Sequence, residues 1–234
     1  MRALSSSELL DLWERGVGLH PLDRGLTTLS VADPSVSDSV ADWPLGRRNR
    51  ALLELHASWF GPRLQGWTVC PECGEKVEFE VDARQLAATA GAEQPQDSVM
   101  VAEHVFRLPT SRDLAQTAGA GDVESAAVAL LGRCRIGGPE NPEWTDDLLE
   151  AVGESLASAD PLAEMRLALN CPTCRREWDD ALDIACFVWA EVEARARRVL
   201  WEVHSLASAY GWSESETLAV GAARRAMYLE MVHG

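Results

Sequence analysis

Apolar and polar positions alternate along this chain mostly with a helical period, interrupted by two short strand-like units that each carry a pair of cysteines. Ser5 and Glu8 stand at capping-box spacing, and Leu9, Leu12 and Trp13 form an apolar stripe behind them. Pro21 suits the first position of a second helix, after a turn at 16–20, so two short helices are predicted over 5–31. Residues 32–43 are polar, contain proline, and read as a loop. Leu52, Leu55, Trp59 and Phe60 recur every three to four residues and predict a helix over 45–60. Val77, Phe79 and Val81 alternate with Glu78 and Glu80, the period of a strand. A loop of small and polar residues is predicted at 89–98, and VAEHVFRL at 101–108 reads as one further strand. Thr110 and Asp113 resemble a capping box for a helix starting near Ser111. Helices over 122–134 and 145–157 are separated by a Gly-Gly-Pro turn at 137–139. A short strand follows at 166–170.

The C-terminal part is the most regular. Ile184, Val188, Val192, Val199, Val203, Leu206 and Tyr210 keep one apolar stripe and predict a single helix over 183–210. Gly211 is its expected stop. Ser213 and Glu216 open a final helix that carries Leu218, Met227, Tyr228 and Met231.

Composition narrows the class. At 47% apolar, the 234 residues can build a real core. No apolar run approaches a membrane span, and 1–8 lacks the order of a secretory signal, so a soluble cytoplasmic protein is expected. The net charge of −16 disfavours a protein that grips nucleic acid through phosphates. Arginine supplies all of the basic residues except Lys76. Arg47, Arg48 and Arg50 make a small basic face at one helix start, read first as a solvated face and second as a surface for an acidic partner. His20, His56, His104, His204 and His233 show no metal-binding spacing and read as surface or interface residues. No nucleotide-binding or nucleophile-elbow motif occurs, and no catalytic residue is assigned.

Cysteine carries the chemistry. Cys70-Pro-Glu-Cys73-Gly and Cys171-Pro-Thr-Cys174 are matching knuckles, in which a tight turn aims two thiolates at one ion. Gly74 after the first knuckle tolerates the positive φ that such a turn needs. Four thiolates make the closed tetrahedral set of structural zinc. A rubredoxin-like iron site would use the same four sulfurs, and a redox-active pair is the third reading. The knuckles lie next to strand-like sequence, as in a zinc ribbon, but 97 residues separate them. The ribbon is therefore expected to be split by an inserted lobe, which the slow growth of closure entropy with loop length permits. Cys134 and Cys186 sit in apolar helical contexts and read as buried core thiols.

The expected fold is α+β and mainly helical. Residues 1–66 form an N-terminal helical segment, 67–82 and 166–182 the split ribbon, 83–165 the inserted and mostly helical lobe, and 183–234 the long helix with its final helix.

Several stretches together resemble a known family: HPLDRGLTTL at 20–29, WPLGRRNRALLEL at 43–55, FGPRL at 60–64, RLPTSRDLA at 107–115, and the run from Asp183 to Val232. They look like the zinc-knuckle branch of the T-even-type phage baseplate hub assembly proteins or chaperones, found in bacterial contractile tail-like injection systems. The sharpest match is the ending, with Tyr210-Gly211-Trp212-Ser213, Glu216, Arg224-Arg225 and Tyr228. The resemblance implies a non-enzymatic assembly or structural protein whose partners are other baseplate, hub or spike proteins, and which can be incorporated into a tail-like particle. Trp212, Arg224, Arg225 and Tyr228 are the candidate partner-binding residues, since aromatics and arginines dominate interfaces. The plainer alternative is that Trp212 staples the final helix to the long one. The competing function is a zinc-ribbon protein that binds nucleic acid or acts in transcription, and an iron-based electron carrier is the third.

Overall fold

A computed structural model describes residues 4–89, 96–139 and 143–233. The architecture is α+β and mainly helical, with three small antiparallel sheets. The N-terminal helices are α1 (Ser6–Gly16), α2 (Pro21–Ala32) and α3 (Leu45–Trp59), with two short 3-10 turns at Pro34–Val36 and Val40–Asp42. Both halves of the α1 capping box form: the Glu8 N–H donates to Ser5 Oγ and the Ser5 N–H to Glu8 Oε2. The α2 start carries Pro21, and the Leu22 N–H donates to His20 Nδ1.

The main core forms where α3 crosses the start of α8 (Ile184–Tyr210). Leu52, Leu53 and Leu55 meet Ile184, Ala185 and Val188 there. A second cluster joins Leu9, Leu10 and Leu12 of α1 to Trp189, Val192, Ala196 and Val199 further along α8. At 27 residues, α8 is about 40 Å long and spans both clusters. Asp183 caps its start by accepting from the Ala185 and Cys186 N–H groups. Gly211 ends it in the left-handed region at φ 71°.

Two hairpins stand beside this helical body. One is β1 (Arg63–Val69) with β2 (Lys76–Asp82), and the other is β6 (Arg166–Asn170) with β7 (Glu177–Ala181). β1 begins inside the segment expected to be helical, since Gly66 and Thr68 interrupt its apolar alternation and leave no strand signal in the sequence. Between the hairpins lies the lobe: α4 (Ala83–Thr89), β3 (Ser98–Val101), β4 (His104–Arg107), α5 (Ser111–Thr117), α6 (Val123–Cys134), β5 (Arg135–Gly137) and α7 (Asp146–Ala159). It has its own core of Val99, Phe106, Leu108, Leu131, Cys134, Val152 and Leu156.

Several elements differ from their sequence reading. Residues 101–108 are not one strand. β3 and β4 form a hairpin with a two-residue turn at Ala102 and Glu103, and Ala102 takes φ 51° without the glycine that usually marks it. The predicted loop at 89–98 starts after the unpredicted α4, which Asp82 caps through the Arg84 and Gln85 N–H groups, and 90–95 lie outside the described residues. Gly137 belongs to β5 rather than to a turn. The single final helix is two, α9 (Glu214–Ala219) and α10 (Ala222–His233). The break leaves the Val220 carbonyl free to accept from Arg225 Nη1 (2.6 Å).

The lobe docks on the first turn of α3. The Leu45 N–H donates to the Pro109 carbonyl (3.0 Å), Arg48 Nη1 to Ser111 Oγ (2.9 Å), and Asn49 Nδ2 to the Leu162 carbonyl (2.7 Å). The Gly46 N–H donates to Asp160 Oδ2 (2.8 Å), and a Cβ at Gly46 would lie 1.7 Å from Asp160 Oδ1, so only glycine admits this carboxylate. The basic face expected at this helix start therefore lacks its central member, while Arg47 stays exposed and Arg50 half-buried. Arg48 is buried at 9% exposure, and Arg47 stacks on the Trp43 ring at 4.1 Å. His56 and His104 are likewise buried rather than at the surface.

Asp113 knots the lobe's own joint. It is 1% exposed, accepts from Arg107 Nη1 and Nη2 (2.6 and 2.8 Å) and Arg133 Nε (3.3 Å), and completes the capping box with Thr110. Burial alone would raise its pKa, but the Arg107 guanidinium and the Thr110 hydroxyl and N–H outweigh burial and hold the carboxyl well below the usual range. A depressed carboxylate contributes stability above its unfolded pKa of about 3.9 and loses it as pH falls through the folded value. Asp113→Ala is expected to cost roughly 3 kcal/mol at neutral pH, since it removes the buried acceptor shared by Arg107, Arg133 and Thr110. That deficit should shrink as denaturant melts are taken below about pH 4. A deficit that stays constant down to strong acid would contradict this account.

Candidate metal centre

Each hairpin turns at a CxxC knuckle, and the two turns have the same backbone. In the first, the Cys70 N–H donates to the Glu75 carbonyl (2.8 Å) and the Gly74 N–H to the Cys70 carbonyl (3.0 Å). In the second, the Cys171 N–H donates to the Arg176 carbonyl (2.9 Å) and the Arg175 N–H to the Cys171 carbonyl (2.9 Å). The residue after each second cysteine is left-handed, Gly74 at φ 75° and Arg175 at φ 63°. Glycine takes this conformation freely, whereas arginine is held in it by the turn around it.

The 97-residue gap closes completely. The four Sγ atoms of Cys70, Cys73, Cys171 and Cys174 lie within 4.8 Å of one another. Cys70 faces Cys174 at 3.6 Å, and Cys73 faces Cys171 at 3.6 Å, so each close pair joins one hairpin to the other. A tetrahedral ion with sulfur ligands at about 2.3 Å sets its ligands about 3.8 Å apart, which this set matches. A disulfide would need about 2.0 Å, and all four cysteines are free. Both pairs sit in strand-to-strand turns, not between a strand and a helix as a thioredoxin-like pair would. Cys70 and Cys171 are buried, while Cys73 and Cys174 are exposed, so each knuckle supplies one inner and one outer ligand.

The electrostatics ask for a cation. The backbone N–H groups of Cys174 and Thr173 aim at Cys171 and bring its thiol down to about 7. At Cys73 the Glu75 N–H pulls the same way, but loss of water and the crowding of Cys174, Cys171 and Cys70 overcome it and push that thiol up to about 12. One thiolate is thus favoured, and its presence opposes the next. A divalent ion removes that opposition, and the turn N–H groups then support the bound sulfurs. Little else holds the hairpins' cysteine ends: the apolar cluster there is Cys70, Val77 and Cys171, with Trp178 against it. Two polar contacts bridge them, Thr68 Oγ1 to Asp180 Oδ2 (2.5 Å) and Thr173 Oγ1 to Glu75 Oε2 (3.3 Å). No periodicity signals either one. With four protein thiolates present, the coordination is closed, leaving no position for a reacting water.

The remaining sequence candidates separate. Trp212 and Tyr228 do meet, edge to face at 5.0 Å, and Tyr210 joins them, stacked on Trp212 at 5.2 Å. Arg224 is exposed beside this cluster in sequence. Arg225 is not a surface residue. It is 3% exposed and donates to Glu202 Oε2 (2.9 Å), the Val220 carbonyl and Ser6 Oγ (2.8 Å), tying α10 to α8 and α1. Arginine composition alone suggested an interface, whereas the α9–α10 break folds this one inward. Cys134 is a buried core thiol as expected, but Cys186 lies exposed on the first turn of α8, donating to Asp183 Oδ2. No family model, curated protein or solved structure matches the chain.

Cys171→Ser is expected to abolish stoichiometric metal binding, measured by plasma mass spectrometry on purified protein. Structural zinc contributes on the order of 10 kcal/mol in small metal-dependent domains. The ribbon should therefore lose hydrogen-exchange protection while the α3–α8 core keeps it. Unchanged metal content and melting point in this variant would refute a four-ligand site.

Proposed function

We propose that this protein is a non-enzymatic assembly or structural protein of the baseplate hub region of a contractile phage tail-like injection system, held in shape by a structural zinc ion. The closed four-thiolate centre carries this reading. Its donor set commits the metal to joining two distant hairpins and offers nothing to a substrate. Zinc is preferred over iron for a site whose work is architectural, and the metal-loaded protein is expected to be colourless.

The segments that resemble the baseplate family are mutually packed, which supports treating the resemblance as one folded unit. Residues 107–115 dock on 43–55 through the Pro44–Thr110 bridge and the Arg48–Ser111 bond. The C-terminal stretch leaves Trp201, Tyr210, Met227 and Met231 exposed, the residue types of a partner surface. Partner capture falls to Trp212, Tyr228 and Arg224, with Arg225 as internal support. The chain acts in the cytoplasm during particle assembly. Among the described residues no helix is long and apolar enough to cross a membrane.

The second reading is a zinc-ribbon protein that binds nucleic acid. Trp67, 60% exposed on β1 with the Lys76 ammonium 5.2 Å over its ring, favours it. The same hairpins carry Glu78, Glu80, Glu177, Asp179 and Asp180, which repel phosphate, so the baseplate reading is preferred.

Tagged protein in its producing cell should co-sediment with sheathed particles, or with light fractions containing hub or spike proteins. Finding it with neither overturns the proposal. Arg224→Glu is expected to weaken that association while leaving the melting temperature within about 2 °C, as for an exposed substitution. Arg225→Ala should instead lower the melting temperature, because the buried guanidinium's bonds to Glu202, the Val220 carbonyl and Ser6 are all lost. Equal co-sedimentation of Arg224→Glu and the parent would remove this surface from the interface.

A further inference from the structure

A cavity of about 330 Å³ lies where the first turns of α2, α3 and α8 converge. Arg48 lines it. This guanidinium is nine-tenths buried, yet both groups it donates to are neutral: Asn49 Oδ1 receives Nε (3.0 Å) and Nη2 (2.8 Å), and Ser111 Oγ receives Nη1 (2.9 Å). Arginine has five N–H donors, so one on each terminal nitrogen takes no partner among the described residues. Asp183 and Asp160 act on the charge, but neither forms an ion pair within 4.0 Å. A buried guanidinium with spare donors and no contacting anion is costly unless something completes it.

The two carboxylates on the cavity wall are already engaged. Glu164 accepts from Arg166 Nη1 (2.8 Å), and Asp183 caps α8. Apart from His20 and Asn49, the rest of the wall is apolar, with Leu22, Leu114, Met165, Leu182 and Ile184 its largest members. A bare inorganic anion would leave that wall unmatched. We propose that the cavity binds the carboxylate of a ligand with a short aliphatic body, its oxygens taking the two spare N–H groups of Arg48 and its chain lying on the leucine wall. The volume falls at the low end of small-ligand sites, about 300–1,000 Å³, which suits either a free branched-chain acid or the C-terminal residue of a polypeptide. The site is separate from the metal centre and independent of the baseplate reading.

Isothermal titration of the metal-loaded protein tests this with N-acetyl-leucine, N-acetyl-leucinamide, and a pentapeptide ending in leucine with a free or an amidated C-terminus. The free carboxylates are expected to bind roughly tenfold or more tightly than their amides, the difference of a charge-assisted pair. Arg48→Gln should abolish that preference. Because Arg48 also ties α3 to α5, Leu114→Trp provides a second variant, filling the cavity while leaving Arg48 in place, and it should lose binding as well. Binding of the pentapeptide together with the amino acid identifies a polypeptide terminus as ligand, and binding of the amino acid alone identifies a free acid. No binding of either carboxylate, equal binding of acid and amide, or carboxylate preference surviving both variants would overturn the proposal.

Discussion

Four sulfurs crowded within 4.8 Å of one another impose the condition on which the ribbon depends. As thiols they fill the space between two hairpins without bonding them, and as thiolates they repel. The hairpins have almost no apolar core of their own at that end, so side-chain burial cannot supply the missing cohesion. A divalent ion converts the repulsion into four strong bonds. Such an ion would hold the start of β2 and the end of β6, at the hairpin tips, while the intervening lobe leaves after Asp82 and returns before Arg166 at the other ends of those strands.

The lobe nevertheless reaches the body by a second, polar route. The start of α3 receives it through backbone and side-chain hydrogen bonds from both of the lobe's flanks, near 110 and near 160. These bonds are directional, so they fix the lobe's orientation alongside the apolar packing of Ala83, Ala87, Leu162 and Met165 into the main core. The two act at different places: an ion in the four-sulfur site would join the hairpin tips, and α3 positions the body of the lobe. Concentrating polar groups at one helix start has a consequence, a buried arginine beside a cavity.

Arginine position shows how tertiary context reassigns a residue type. Arg224 and Arg225 are neighbours in sequence, yet one faces solvent and the other lies 2.9 Å from Glu202 in the interior. Arg47 and Arg48 divide in the same way, one onto the Trp43 ring and one under the lobe. Adjacent helical residues point about 100° apart, so at a helix that is covered on one side such pairs are bound to separate.

The sequence by itself determined what repeats locally. Capping pairs at Ser5, Thr110 and Ser213 closed the helices they marked, the stripe from Ile184 to Leu206 laid α8 on the core, and paired CxxC turns marked the four sulfurs that cluster as a candidate metal site. Each depends on residues a few positions apart, whose chemistry is the same in any fold. Tertiary structure alone decided the rest: the turn at Ala102, the break before α10, the exposure of Cys186, and the burial of His56, Arg48 and Arg225. Those outcomes were set by partners such as Ser111, Asp160, Glu202 and Ser6, which lie far along the chain and have no periodic mark. A polar side chain is exposed or buried according to what covers it, and that covering exists only once the chain has folded.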